Sequence, residues 1–551
     1  MKHIFKITGS ICTAAIIAAG CTKKIDEAYA NPNADVRVPV EQLLPNMIAT
    51  MATNGAGHGP QNDIRFIGKY IQNFVFYASG GRYDQMGGTT GTSDNAASIW
   101  RTHFYDLGQN VLKMIEWASE EKKWDYAGVG KSILAWSWLT LSDYHGEVIS
   151  VNEAFNTSAL TFSYGTQEEV YNHVKQLCYE ALELLNKTGD GANQANLAKG
   201  DAYFYNGDVE KWKKFTNGVM ARLYNHLSNK SIYNADSVVY YCNRSILTNA
   251  DNGLVKFANT GVSGTANFFG PLRNNLSSTV IGTETAIRQS SFIANLLSGK
   301  NNAFLNAADP RAWYLIRPNT NNTFVGLDPN KGQTVIAAND RPESFFGASQ
   351  AGGANNVAPA NDNNCRYIFK NASPFPIMTA AEIQFIKAEA LLRKGDRTGA
   401  LAAYKEGISQ NFDMLTSVYQ TSVPADKFIT STMKNDFLNN TTVVPAAATD
   451  LTLTKIMLQK YIALYIHGAC ETWTDMRRFH YTDTDPATGQ QVYRDFAPPS
   501  GTDLNPDNGG QLVYRVRPRY NSEYVWNLKE LERIGATAAN YHTKKCWFSE
   551  P

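Results

Sequence analysis

Three things are missing from this chain: an excess of charge of either sign, a cysteine pattern, and, after its first twenty residues, any long apolar run. Of 551 residues, 51 are Lys or Arg and 50 are Asp or Glu, a formal net charge of +1. That balance supplies no field to attract nucleic acid or an anionic membrane surface. The seven cysteines are widely spaced and no CxxC occurs, which excludes a disulfide framework and a zinc ribbon. The longest later apolar stretch, Ile133 to Leu141, contains Ser137 and two tryptophans. It falls short of the roughly 20 residues a spanning helix needs. Catalytic signatures are also missing: there is no GxSxG and no HExxH, and the nine histidines do not cluster at ligand spacing. Gly128-Val129-Gly130-Lys131-Ser132 imitates the end of a phosphate loop, but Asp125 stands where the pattern needs its first glycine.

What is present begins at the amino terminus. Lys2, His3 and Lys6 precede a weakly apolar run, Ile7 to Ala19, which ends in Ala18-Ala19-Gly20-Cys21. Small residues before a cysteine, just after a short apolar run, form the pattern of a bacterial lipoprotein signal (residues 1–20) with Cys21 as the lipidated first residue of the mature chain. Ala18 departs from the leucine usual at that position, and an ordinary secretory leader is the alternative. Residues 21–40 then read as the lipidated cysteine and a flexible tether. Thr22 to Val38 is polar, with a turn at Asn31-Pro32-Asn33, and as a coil would span roughly 20–25 Å. Residues 41–551 read as one domain; 43% hydrophobic and 12% aromatic content allows it a sizeable core.

Helical periodicity dominates both ends of that domain, so the expected class is mainly α. Ser98 to Ala118 places Ile99, Phe104, Leu107, Val111, Met114, Ile115 and Ala118 largely on one face, with Trp100 and Tyr105 assigned to the core. Tyr126 to Tyr144 is a second helix. Thr166 opens a third through a capping box with Glu169, and Asp208 caps a fourth. After Thr379, a second capping box with Glu382 starts a helix that Gly395-Asp396 ends. A further helix carries Leu401, Tyr404 and Ile408, and Ala388, Ala390 and Ala400 provide small residues at the crossing, as in a tetratricopeptide unit. Thr454 to His467 is a last apolar helix. Between these lie two irregular insertions near 249–283 and 318–365, rich in turn formers yet carrying Phe268, Phe269, Phe324, Phe345 and Phe346. Asp143, His145 and Glu147 read as a hydrogen-bonded helix end with Gly146 as its cap.

Several segments together resemble the SusD/RagB family of surface nutrient-binding lipoproteins of Bacteroidota, in its SusD-like starch-binding branch. They include Gln42-Leu43-Leu44-Pro45, the helix ending in Leu141 to Val148, and Asp208 to Asn217 with Arg222-Leu223. Asp309-Pro310-Arg311, Pro376 to Thr379 with Ala388-Glu389-Ala390, Glu471 to Arg478, and Arg517 to Asn527 continue the pattern in order. The resemblance implies a helical scaffold of tetratricopeptide-like pairs with long irregular ligand-binding insertions. It implies a non-enzymatic role without cofactor or metal: binding an oligosaccharide or peptide and delivering it to a SusC-like TonB-dependent outer-membrane transporter. By the same resemblance the protein is outer-membrane-anchored, faces the cell exterior and takes no nucleic acid. A surface glycoside hydrolase and a helical-repeat adaptor are the competing readings.

Sugars are held by aromatic faces and by planar amide, carboxylate and guanidinium groups. The irregular segments offer Tyr77, Arg82, Tyr83, Asp84, Asn274, Trp313, Phe345 and Phe346 as candidate ligand contacts, with Tyr83, Arg82 and Trp313 expected to contribute together. Trp212, Arg222, Asp309, Arg311, Arg477 and Arg478 read as scaffold.

Overall fold

The computed structural model describes residues 37–53, 63–80, 83–87, 97–275, 287–347 and 358–551. Cys21, the tether to residue 36 and Arg82 lie outside that set. Arg37 is the first residue seen. It bonds Glu120 (2.7 Å) and Glu121 (2.8 Å), so the chain joins the folded body just before helix α1, Val40–Met51.

The architecture is mainly α-helical, with helices stacked as antiparallel pairs. The helix expected at Ser98 to Ala118 is interrupted. Ser98–Arg101 (α2) and Gly108–Glu120 (α3) flank a π-helix, Thr102–Leu107. One expectation is corrected: Trp100 is 3% exposed, but Tyr105, five residues on and so about 140° round a helix, is 66% exposed. Helix α4 (Trp124–His145) packs along α5 (Gln167–Leu185). The Thr166–Glu169 capping box is complete, Asp208 caps α6 (Val209–His226) at Lys211 N, and α7 (Ala235–Cys242) returns along it.

The pair α8 (Ala380–Lys394) and α9 (Arg397–Val418) crosses as the alanines suggested, with Ala388, Ala390 and Ala400 fully buried. Gly395, at φ 91°, ends the first helix in a conformation that favours glycine, and Asp396 caps the second. The capping box at Thr379 is only half formed. Thr379 accepts from Glu382 N, but the Glu382 carboxylate turns to Arg222 instead (2.5 and 2.8 Å). Helix α10 runs Leu453–Ala463, ending four residues earlier than expected, and α11 is Ala469–Arg478.

Among the described residues, six short strands that the sequence did not announce form three antiparallel pairs. β1 (Phe74–Phe76) pairs with β5 (Ile287–Gln289), β2 (Val148–Ile149) with β3 (Tyr164–Gly165), and β4 (Gly253–Val255) with β6 (Phe375–Met378). Each clips an irregular stretch to the helical body. Cys178, Cys242, Cys365 and Cys546 are free and buried, and Cys470 is partly buried.

Candidate functional site

Two polar centres compete, and their geometry separates them. The first lies inside the helical body, where nearly every strongly charged motif residue converges. His226 sits between Asp143 and Glu471, 3.1 Å from each. Burial would lower its pKa, but the two carboxylates carry it up to about 9. Burial likewise works against ionisation of Glu471, yet His226, Lys460 and Arg222 hold its carboxyl well below the usual range. Arg478 spans Glu389 (2.8 Å) and Asp475 (2.5 Å). Arg311 joins Asp309 (2.6 Å), Asn411 (2.8 Å) and Gln459 (2.5 Å). Perturbed groups often mark an active site. Here Asp143, Arg222, His467, Glu471 and Arg477 line only about 50 Å³ of space, room for a water or two and not for a sugar. The scaffold reading of these residues stands. Asp143, His145 and Glu147 do end a helix capped by Gly146, at φ 79°, and Glu147 is tied to Arg515 and Lys544.

The second centre is an open cleft of about 400 Å³, its walls drawn from the turn at Gln72, the helix Ser291–Ser298, and the loops 328–331 and 495–503, with Tyr83 at its back. Pairing of β1 with β5 brings the chain after Phe76 beside the helix Ser291–Ser298 (α-helical, capped by Ser290 Oγ at Ile293 N). Gln72, at φ 58°, accepts at its carbonyl from Ser290 Oγ and donates Nε2 to Ala497 O at 2.6 Å, fixing the 495–503 segment to the same wall. Leu327 N donates to Gln289 O and Ser291 N to Leu327 O, while Ser291 Oγ donates to Asp328. Gln333 N donates to Tyr77 O (2.7 Å) and Gly80 N to Asn330 O (3.0 Å). Asn330 is itself held by Lys69 Nζ (2.8 Å) and reaches Asp503 (3.2 Å). The four walls are therefore cross-linked by hydrogen bonds before any ligand arrives.

Tyr83 and Phe292 back this cleft with their rings buried, 2% and 3% exposed; Asn295 offers an exposed amide, and Asn301 and Gln72 lie buried beside it. Asp328, Lys331 and Asp495 stand exposed at the lip, with Asp503 beside them. Lys69 Nζ lies 4.5 Å from the centre of the Tyr83 ring. Burial, with Asp503 and Asp84 nearby, raises the Tyr83 hydroxyl above its ordinary pKa, so it stays protonated. An exposed amide, a lysine and carboxylates around one open cleft suit a polyhydroxylated ligand.

The sequence candidates divide around this cleft. Tyr83 lines it. Asp84 lies fully buried behind, accepting from Asn505 N (2.8 Å) and Asn508 Nδ2 (2.7 Å), which fixes the adjoining loop. Tyr77 is half-buried next to it, 5.9 Å from the Arg288 guanidinium. Four others sit elsewhere. Trp313 packs on Phe324 (5.0 Å) near Arg366 and Lys427. Asn274 turns at φ 60° in a separate loop. Phe345 is 3% exposed, stacked on Phe369 at 4.4 Å, and Phe346 is 2% exposed. In this structure the two phenylalanines anchor their insertion to the core.

Sequence reasoning passed over Asn295, Asn301, Asp328, Lys331, Asp495 and Asp503. The signal for the last two was a third irregular stretch, rich in Pro, Gly and Asp, between about 482 and 520. Among the described residues no group of three His, Cys, Asp or Glu side chains is placed to hold a metal, and no helix is long and apolar enough to cross a membrane.

Comparison with known proteins agrees with the fold. Residues 32–500 match a SusD-like family model, described as starch-binding and associating with the outer membrane. Among solved structures, a chitin-binding protein is 20% identical with a TM-score of 0.67, over 93% of this chain and 100% of that one. A SusD/RagB family protein from Bacteroides thetaiotaomicron is 20% identical with a TM-score of 0.66, over 93% and 99%. A chitin-binding SusD homologue from Flavobacterium johnsoniae is 16% identical with a TM-score of 0.61, over 93% and 98%. No curated protein matches.

Proposed function

The chain belongs to the SusD-like family, and on that premise we propose that it is a surface lipoprotein that captures an oligosaccharide in the Tyr83 cleft and passes it to a TonB-dependent outer-membrane transporter. The family's carbohydrate role supports the ligand class, and two structural neighbours are chitin-binding by name. The amino-terminal signal ending at Cys21 supports the anchor. The observation that carries the reading is the cleft itself: preformed, open to solvent, and walled by loops on a rigid helical body. Its lip carries Asp328, Asp495 and Asp503 against Lys331. That excess of carboxylate favours neutral or N-acetylated sugars over uronic or sulfated ones. Binding without turnover is the proposed chemistry.

Calorimetric titration of the mature chain with chitohexaose and maltoheptaose tests this, comparing wild type with the double variant Asp328→Ala/Lys331→Ala. Both positions are exposed, so the fold should persist. The reading expects binding to weaken at least tenfold with no new reducing ends released. Equal affinity in the two proteins refutes the assignment of the cleft. Recovery of the native lipoprotein from outer membranes in mild detergent without a large barrel partner refutes delivery.

A further inference from the structure

A second surface with the chemistry of a sugar platform lies beside the π-helix. Tyr105, in the π-helix Thr102–Leu107 and five residues beyond the buried Trp100, stands 66% exposed. Across a groove of about 520 Å³ stands Trp526, 72% exposed and the one exposed tryptophan of the ten. The groove floor is a set of locked rings. Trp100 lies 4.8 Å from Phe104 and 5.3 Å from Tyr520, and Phe104 lies 6.0 Å from Phe155. The walls are pinned as well. Asn527 exchanges hydrogen bonds with the backbone of Phe162 (3.1 and 2.9 Å), Gln109 Nε2 donates to Phe155 O (3.2 Å), and Asn156 turns the 156–158 loop. Rings this constrained lose little freedom on binding.

We propose that this groove is a second carbohydrate-binding site, gripping neutral sugar rings between Trp526 and Tyr105. Three observations select that occupant. Glu523 is the only ionisable acid or base in the lining, and it is 3% exposed and already accepts from Tyr164 OH (2.8 Å) and Asn527 Nδ2 (3.1 Å). With no Lys or Arg in the lining, an anionic lipid headgroup finds no counter-charge. The polar groups alternating with the rings are amides and hydroxyls (Gln109, Asn156, Thr157, Ser522), the partners of sugar hydroxyls. One segment of chain contributes to both the groove and the Tyr83 cleft. Residues 495–503 wall the cleft, Arg517 N donates to Met86 O, and residues 522–527 wall the groove. A long chain held at both places would gain by the linkage of two weak sites.

The inference rests on the carbohydrate-binding reading but not on the cleft. An array of neutral oligosaccharides that includes the β-1,4 N-acetylglucosamine and α-1,4 glucose series tests it. The mature chain is compared with Trp526→Ala/Tyr105→Ala and with Asp328→Ala/Lys331→Ala. The expected result is a fivefold or greater loss of affinity in the groove variant, with protection of Trp526 from acrylamide quenching when wild type is saturated. If wild type binds and the groove variant binds equally well, the groove is not a sugar site while the function stands. Should the groove variant keep its sugars but lose a copurifying outer-membrane protein, the groove is a docking face and the inference fails. If wild type binds no sugar on the array, both readings fail.

Discussion

Acid should destabilise this protein well before its carboxylates titrate, because four histidines are buried neutral. His103, His145 and His467 have their pKa pushed down to about 3, and His542 to about 4, first of all by burial. Their neutral rings bond to Ser137 Oγ (2.8 Å), Val516 O (3.0 Å), Tyr367 OH (2.7 Å) and Asn508 Oδ1 respectively. In the unfolded chain each protonates near pH 6.5, so below that pH the unfolded state binds more protons and stability falls with the pH. At pH 5 each ring lies about 1.5 units below its unfolded pKa, a cost of about 2 kcal/mol per histidine and about 8 kcal/mol for all four. Asp201, whose buried carboxyl is pushed up to about 6, returns about 1 kcal/mol of this by protonating in the fold. The remainder rivals the whole stability of an ordinary domain, about 5–15 kcal/mol. His226 acts in the opposite direction. Raised to about 9, it stabilises fully below pH 6.5, and that contribution, on the order of 3 kcal/mol, is lost between pH 6.5 and 9. Stability should therefore peak near pH 7. Urea unfolding followed by circular dichroism from pH 9 to 4.5 gives the profile directly. A midpoint unchanged between pH 7 and pH 5 would refute the reasoning, because it would mean that the folded chain accepts these protons at little cost.

Two mutational predictions concern the scaffold. Glu389→Gln leaves the fully buried Arg478 without its main counter-charge and should cost about 3–5 kcal/mol in urea unfolding, whereas Glu120→Gln at the exposed pair with Arg37 should cost under about 1 kcal/mol; similar costs at the two sites would contradict the burial argument. Gly218→Ala, inside α6, drives a methyl into Met378 Sδ and toward Ser245 Oγ at 2.8 Å. A loss of about 1–3 kcal/mol is expected, and Met378→Ala in the same chain should recover part of it, a coupling that a double-mutant cycle measures.

The helices were legible because their signals are local. Thr166 with Glu169, Asp208, and the Gly395-Asp396 break all act within a turn of the chain, and each does in the fold what its spacing foretold. Glu382 shows where locality ends: its spacing from Thr379 satisfied the capping pattern, but Arg222, 160 positions away in the chain, won the carboxylate. Tyr105 is a different case: five residues after Trp100 it lies about 140° round a helix and off the stripe of Leu107, Val111 and Met114, so the spacing itself argued against the core. Tyr83 and Asp84 were found because a Gly-rich loop drew attention to them. Asp328 and Asp495 were missed because the cleft exists only once β1 pairs with β5 and Gln72 reaches Ala497, contacts across 213 and 425 positions. The phenylalanines of the insertions misled in the other direction. An aromatic residue in an irregular stretch signals either a ligand face or an anchor, and Phe345 on Phe369 is an anchor.

A segment without helix or sheet must still satisfy its backbone, and here buried cations take the place of a ladder. Arg477 donates to the carbonyls of Asp143 and Tyr514 (2.9 Å to the latter), and Val516 N donates to Tyr144 O at 3.0 Å. Arg515 Nε reaches Lys544 O (2.8 Å), and Arg517 reaches the carbonyls of Ala538 and Ala539 (3.2 Å each). Residues 513–517 are thereby pinned to the helical body, beside Met86 on one side and leading to Tyr520 on the other. The buried charges of the core hold in place the irregular chain that runs between the proposed sugar-binding surfaces. Loops anchored through their carbonyls constrain few of their own side chains, so the residues facing a ligand can change without disturbing the scaffold that positions them.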